Sequence, residues 1–262
     1  MQRSDLSLLT VLGALATFVG VQTVSRPHRT ESVSSGAVAS SPARELGSHG
    51  SDRRGSRAAV ATAELPAEIR GMRRADVRRQ IEDGAEGTYI GELLLDRDSA
   101  LTRWPDRVER PLRVWIGRGT GMEGWKDQYV NEVAAAFNSW EEVGIPVRFT
   151  AAKDSASADV HVLWTNRFRE PISGKTVWSR DDRWWIVDAD ITLALHHRDG
   201  DPLDAAQIRA IALHEIGHLL GLDHTGDQTN VMAARVRVRE LSTADRATLR
   251  LLYSVPAGKI TE

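Results

Sequence analysis

His214, His218 and His224 stand at H-E-x-x-H-x-x-G-x-x-H spacing, with Glu215 and Gly221 between them. Two histidines four apart on a helix project from one face, a turn from each other. Glu215, beside the first, can reach a metal-bound water without itself ligating the metal. Gly221 tolerates positive φ, so the chain can leave the helix sharply and return His224 as a third ligand. Three neutral imidazoles with a fourth position left to water make an open zinc site of the catalytic kind. From this composition the spacing arises by chance at roughly one in ten million starting positions, which sets aside an ordinary histidine-bearing helix.

The element that must carry these residues is legible around them. Asp204 is a good N-cap, and Gln207 three residues later completes a capping-box pattern. Ile208, Ile211, Ala212 and Leu219 then mark a buried stripe, and Gly221 supplies the stop. Met232 follows His224 by eight residues, in Asn230-Val231-Met232-Ala233. Taken alone it reads as core filler.

Together these residues resemble the metzincin clan of zinc endopeptidases, and within it a matrixin-type bacterial metallopeptidase. Thr225 after the third ligand, the short interval to Met232 and the run Leu241-Ser242-Thr243-Ala244-Asp245 carry the second part of the resemblance. The strong likeness covers residues 203–254, with weaker agreement back to 101. It implies that Met232 is the methionine of a turn beneath the metal. It also implies a last helix with Leu249, Leu252 and Tyr253 on its inner face before Pro256.

Upstream patterns agree in order. Apolar residues recur at helical spacing through Val130, Val133, Ala134, Phe137 and Trp140. Leu112–Ile116, Val147–Phe149, Val160–Trp164, Thr176–Ser179 and Asp190–Leu195 read as strands. The glycine-rich loop from Gly117 to Gly124 lacks a P-loop lysine pattern and is no phosphate cradle. The order is that of an α+β, zincin-like domain: a twisted mixed five-stranded sheet, three helices, an active-site zinc helix and a Met-turn. In that fold the outer strand borders the cleft and takes substrate by strand addition. Thr176, Val177 and Trp178 are its candidate cleft residues, although a strand tryptophan also commonly fills core. Trp184 and Trp185 are open between the same two roles.

Residues 6–24 are an apolar stretch behind Arg3, and read as a signal-peptide h-region or an uncleaved membrane anchor. Either places the peptidase outside the cytoplasm, secreted or anchored, with the N-terminal segment in contact with membrane. Residues 26–64 have a linker composition. Residues 65–100 form an N-terminal extension or propeptide-like segment, with a basic helix between Pro66 and Asp83 that sets Ile69, Met72, Val77 and Ile81 near one face. The peptidase domain spans 101–256, and 257–262 are a tail. A net charge of −2 gives no electrostatic case for nucleic acid. With no cysteine in the chain, disulfides and a thiolate latch on the zinc are both excluded. Asp96 or Asp98 would be the carboxylate alternative to such a latch, or else solvated loop charges.

The remaining candidates for a second zinc or a calcium site are His161, Asp159, Asp181, Asp182, Asp188 and Asp190, with no spacing that assigns them. His196 and His197 end the strand before the zinc helix. The function implied is a monomeric zinc endopeptidase acting on polypeptides, with Glu215 as general base. The alternatives are a zinc-held binding domain with vestigial activity and a protease restricted to its own N-terminal segment.

Overall fold

The computed structural model describes Thr17–Phe18 and residues 72–260. The expectations for the apolar stretch and linker therefore lie almost wholly outside the described residues. No described helix is long and apolar enough to cross a membrane. The strands are β1 (Thr17–Phe18), β2 (Ala100–Leu101), β3 (Arg107–Ile116), β4 (Val147–Ala151), β5 (Val160–Thr165), β6 (Gly174–Arg180), β7 (Ile186–Ala194), β8 (Arg235–Val236) and β9 (Gly258–Lys259). The helices are α1 (Arg74–Gly84), α2 (Ile90–Asp96), α3 (Gln128–Glu141), α4 (Ala205–Leu219) and α5 (Thr243–Ser254).

Five strands form the main sheet in the order β4-β3-β5-β7-β6. All neighbours are parallel except β6 and β7, which are antiparallel. The sheet is thus mixed, as the family resemblance implies, and β6 is a terminal strand. Strand β3 starts five residues earlier than its apolar run, where a register irregularity between Arg107 and Leu112 accompanies Pro111. Proline cannot donate to a ladder, so an irregular stretch is where a strand tolerates it.

Helices α3 and α4 cover one face of the sheet. Val133, Ala136, Phe137 and Trp140 of α3 are buried, and Trp140 Nε1 donates to Leu213 O of α4 at 2.8 Å. The predicted capping box at the start of α4 is complete: Asp204 Oδ1 accepts from Gln207 N and Gln207 Oε1 from Asp204 N. Helix α5 begins with a second box, between Ser242 and Asp245. Its Leu249, Leu252 and Tyr253 are buried, as the resemblance implies.

The N-terminal helices belong to the same core. Val77 and Ile81 of α1, with Tyr89, Ile90 and Leu93 around α2, join the apolar cluster built on the sheet. Strands β2 and β9 pair antiparallel beside them. Arg103 is buried between the rings of Trp185 and Tyr253, and donates to the carbonyls of Val255 and Trp104. Burial pulls its pKa down to about 10, partly offset by Tyr253 and Asp106, and carbonyl acceptors satisfy the buried guanidinium.

Candidate metal centre

His214 and His218 lie one turn apart on α4 and are fully buried; His224 reaches them from the loop after it. Gly221, at φ 99°, makes that return possible. Any Cβ there would meet Thr102 O, so both backbone angle and space require glycine. The three imidazoles bring one nitrogen each into a single cluster. His214 Nε2 is 2.9 Å from His218 Nε2 and 3.3 Å from His224 Nε2.

The opposite nitrogens explain what that convergence means. His214 Nδ1 lies 2.7 Å from Val231 O and His218 Nδ1 3.0 Å from Leu222 O. A carbonyl only accepts, so each Nδ1 carries the proton and each Nε2 presents a lone pair. Lone pairs facing one another at this range repel unless a cation lies between them. Tetrahedral zinc with Zn–N of about 2.05 Å separates two ligand nitrogens by roughly 3.3 Å. The His214–His224 pair matches this, and the His214–His218 pair, at 2.9 Å, would open slightly around the ion. Burial, reinforced by the neighbouring imidazoles, pulls the His214 pKa down to about 3 and lowers that of His218. Burial also lowers His224, partly offset by the charges of Asp223 and Asp96. All three are therefore neutral at pH 7, the state in which an imidazole can ligate a metal.

Glu215, also on α4, is fully buried and faces β6. Thr176 Oγ1 lies 2.6 Å from Glu215 Oε2 and 3.0 Å from Glu215 O. A Cβ on Gly174 would collide with the same carboxyl group. Residues 174 and 176 share one face of the strand, so β6 seats the carboxylate with a hydroxyl on one side and an empty space on the other. Glu215 Oε1 is buried with no hydrogen-bond partner. Burial pushes the Glu215 pKa up to about 8, against the opposing effect of the Thr176 hydrogen bond.

Met232 lies in the turn below. It is fully buried, and a Cβ at Gly217 of α4 would run into its sulfur and into Trp140. Val231, next to it, accepts the His214 proton at its carbonyl and donates its own N–H to Asp245 Oδ2 at 2.9 Å. Asp245 thus ties the turn to the N-terminus of α5.

The cleft candidates divide. Thr176 touches Glu215 rather than forming an open wall. Val177 is half-buried on the opposite face of β6. Trp178 is 6% exposed within the core cluster, with Arg97 stacked over its ring, so it packs as core. Trp185 is likewise buried, while Trp184 has a left-handed φ of 67° and lies against Arg180.

Neither carboxylate latch candidate joins the imidazoles. Asp98 pairs with Lys259 and its side chain is 89% exposed; Asp96 is exposed and outside the ligand cluster. Among the described residues no second group of three His, Asp or Glu side chains converges. His161 bonds Asp190 and Ser155 O, Asp159 pairs with Arg113, and Asp181 caps its own turn. His197 contacts Gln207 at the start of α4. Sequence reasoning missed Thr176 as the partner of Glu215, along with Glu92 and Arg97, which contact the His224 loop.

Residues 167–254 match the family model described as Matrixin. The chain is similar to Metalloendoproteinase 1 of Glycine max, 24% identical over 49% of this chain and 47% of that protein. It is also similar to Metalloendoproteinase 1-MMP of Arabidopsis thaliana, 31% identical over 45% of this chain and 36% of the other. The chain thus spans less than half the length of these curated relatives. The solved structure of myroilysin aligns at 11% identity with a TM-score of 0.40, covering 58% of this chain and 86% of that one.

Proposed function

Because residues 167–254 match the Matrixin family model, we propose that this chain is a matrixin-type zinc-dependent endopeptidase that hydrolyses internal peptide bonds of polypeptides. The reading is supported most by Glu215: a buried carboxylate with one oxygen pinned and the other unpartnered, one residue from a converged imidazole trio. A purely structural zinc site has no use for that group. The names of the relatives, metalloendoproteinases, point the same way.

Zinc held by His214, His218 and His224 would lower the pKa of a bound water toward about 7 and polarise the scissile carbonyl. Glu215 accepts the water proton at Oε1 as the water oxygen bonds to the carbonyl carbon. It then delivers that proton to the amide nitrogen as the C–N bond breaks. Burial raises the carboxyl pKa in the metal-free site; a cation held by the imidazoles would favour the ionised form, which can accept the water proton. Val231 O and Leu222 O keep two of the rings in the tautomer that leaves Nε2 free. Strand β6, at the sheet edge, offers its backbone to an extended substrate. The apolar stretch at 6–24 directs this activity outside the cytoplasm.

Glu215→Gln should bind zinc as the unaltered chain does, yet lose nearly all cleavage of an unfolded protein such as reduced casein. Mixing active chain, the Glu215→Gln variant and casein separates the readings. Endopeptidase activity requires cut casein; a self-processing enzyme cuts only the variant; a binding domain cuts neither. Full turnover by Glu215→Gln would reject the mechanism.

A further inference from the structure

We infer that residues 89–99 are a retained part of the metal centre, a strap whose Glu92 and Arg97 hold the His224 loop in register for the ion. The inference rests on the zinc reading above and adds a requirement to it: the strap assists metal retention and is not an inhibitor to be removed.

His224 differs from the other two ligands. His214 and His218 sit on a helix, and each anchors its Nδ1 on a backbone carbonyl. His224 sits on a loop, and among the described residues its Nδ1 has no such anchor. Its position must be set by the backbone around it, and the strap grips that backbone on both sides. On the near side, Arg97 Nε donates to Asp223 Oδ2 at 2.8 Å and Arg97 Nη2 to Leu222 O at 3.2 Å. Leu222 O also receives the His218 proton, and Asp223 Oδ1 accepts from His224 N at 3.1 Å. On the far side, Glu92 takes Thr225 Oγ1–H at 3.0 Å and Gly226 N–H at 2.7 Å. The third ligand thus lies between two charge-assisted attachments, the stronger class of hydrogen bond.

The strap is itself held. Tyr89, Ile90 and Leu93 are buried, and Tyr89 bonds Asp245 and Thr248 of α5. The Arg97 side chain is 10% exposed and lies over Trp178 of β6, so one guanidinium touches both the edge strand and the ligand loop. Asp98 and Ser99 then take consecutive left-handed conformations, φ 49° and 55°. Two such residues in a row, neither of them glycine, mark an enforced reversal, after which β2 pairs with β9. No strap side chain enters the imidazole cluster. The contacts steady the ligands without competing for the metal.

The test measures zinc affinity of the full chain by competition with a chromogenic chelator, with far-ultraviolet circular dichroism as the folding check. Glu92→Gln, Arg97→Met and the milder Thr225→Val should each weaken zinc binding by about tenfold or more. Arg97→Lys, which keeps a cation beside Asp223, should lose less. Lys259→Ala, which removes only the exposed pair with Asp98, should leave affinity unchanged. Undiminished affinity in Glu92→Gln, Arg97→Met and Thr225→Val overturns the strap, as does an equal loss in Lys259→Ala, which would signal general loosening. An unaltered chain that takes up no zinc overturns the proposed function together with this inference.

Discussion

Thr176 holds Glu215. The threonine hydroxyl approaches both Glu215 Oε2, at 2.6 Å, and Glu215 O, at 3.0 Å, and its single proton goes to the charged acceptor when the carboxyl group is ionised. One oxygen of the proposed general base is thereby fixed, and the other is without a partner. Thr176→Val keeps the shape and removes the donor. It should lower kcat roughly 10- to 100-fold with KM and zinc content little changed, the range expected for losing a hydrogen bond to a charged group. Thr176→Ser should restore most of the rate. A loss confined to KM would return Thr176 to a substrate-contacting role.

The metal-free protein should show the same carboxyl group in its pH dependence. Burial raises the Glu215 pKa from the usual carboxylate range to about 8. The folded state then binds a proton that the unfolded state releases between about pH 4.5 and 8, so this group's contribution to stability falls as pH rises through that window. Glu215→Gln removes the titration. Without metal, the variant should match the parent near pH 4 and exceed it increasingly up to pH 8, by a few kcal/mol at most. Urea denaturation at a series of pH values reads the gap directly. A constant gap across the window would contradict the buried, proton-holding carboxyl.

What the chain disclosed beforehand follows from the range of each interaction. The ligand spacing, the Asp204–Gln207 capping box and the apolar faces of α3 and α4 are local patterns, and the structure reproduces them. The inner face of α5 comes from the family resemblance, and its own capping box is not foreseen. The contacts of Glu92 with Thr225 and of Arg97 with Asp223 join residues 133 and 126 positions apart. No periodicity encodes them, because two polar residues meet there only once the strap is packed against α5. Thr176 was legible as a residue of the edge strand, but which side of β6 faces Glu215 depends on how α4 lies across the sheet. Trp178 shares that inward face, which is why it fills core.

Gly217 sets two effects against each other. Alanine in a helix interior is favoured over glycine by about 1 kcal/mol. At this position its Cβ would strike Met232 and Trp140, two fully buried side chains. Overpacking of that kind costs about 1–3 kcal/mol. Gly217→Ala should therefore be destabilising on balance, with a lower urea midpoint and weaker zinc retention. A raised midpoint would show that the Met-turn yields more readily than its burial suggests.

Zinc should stabilise the fold by an amount that tracks free metal. A ligand that binds only the native state adds about 1.4 kcal/mol for each tenfold rise in its free concentration above Kd. In metal-buffered solutions the unaltered chain should follow that slope. Glu215→Gln should follow it too, since the carboxylate is not one of the three ligands in the cluster. His218→Ala leaves two imidazoles and should lose the slope over the same range. The three titrations separate ligation from proton transfer without any substrate. If Glu215→Gln also went flat, the carboxylate would have to be reassigned as a ligand, and the division of labour argued for α4 would fail.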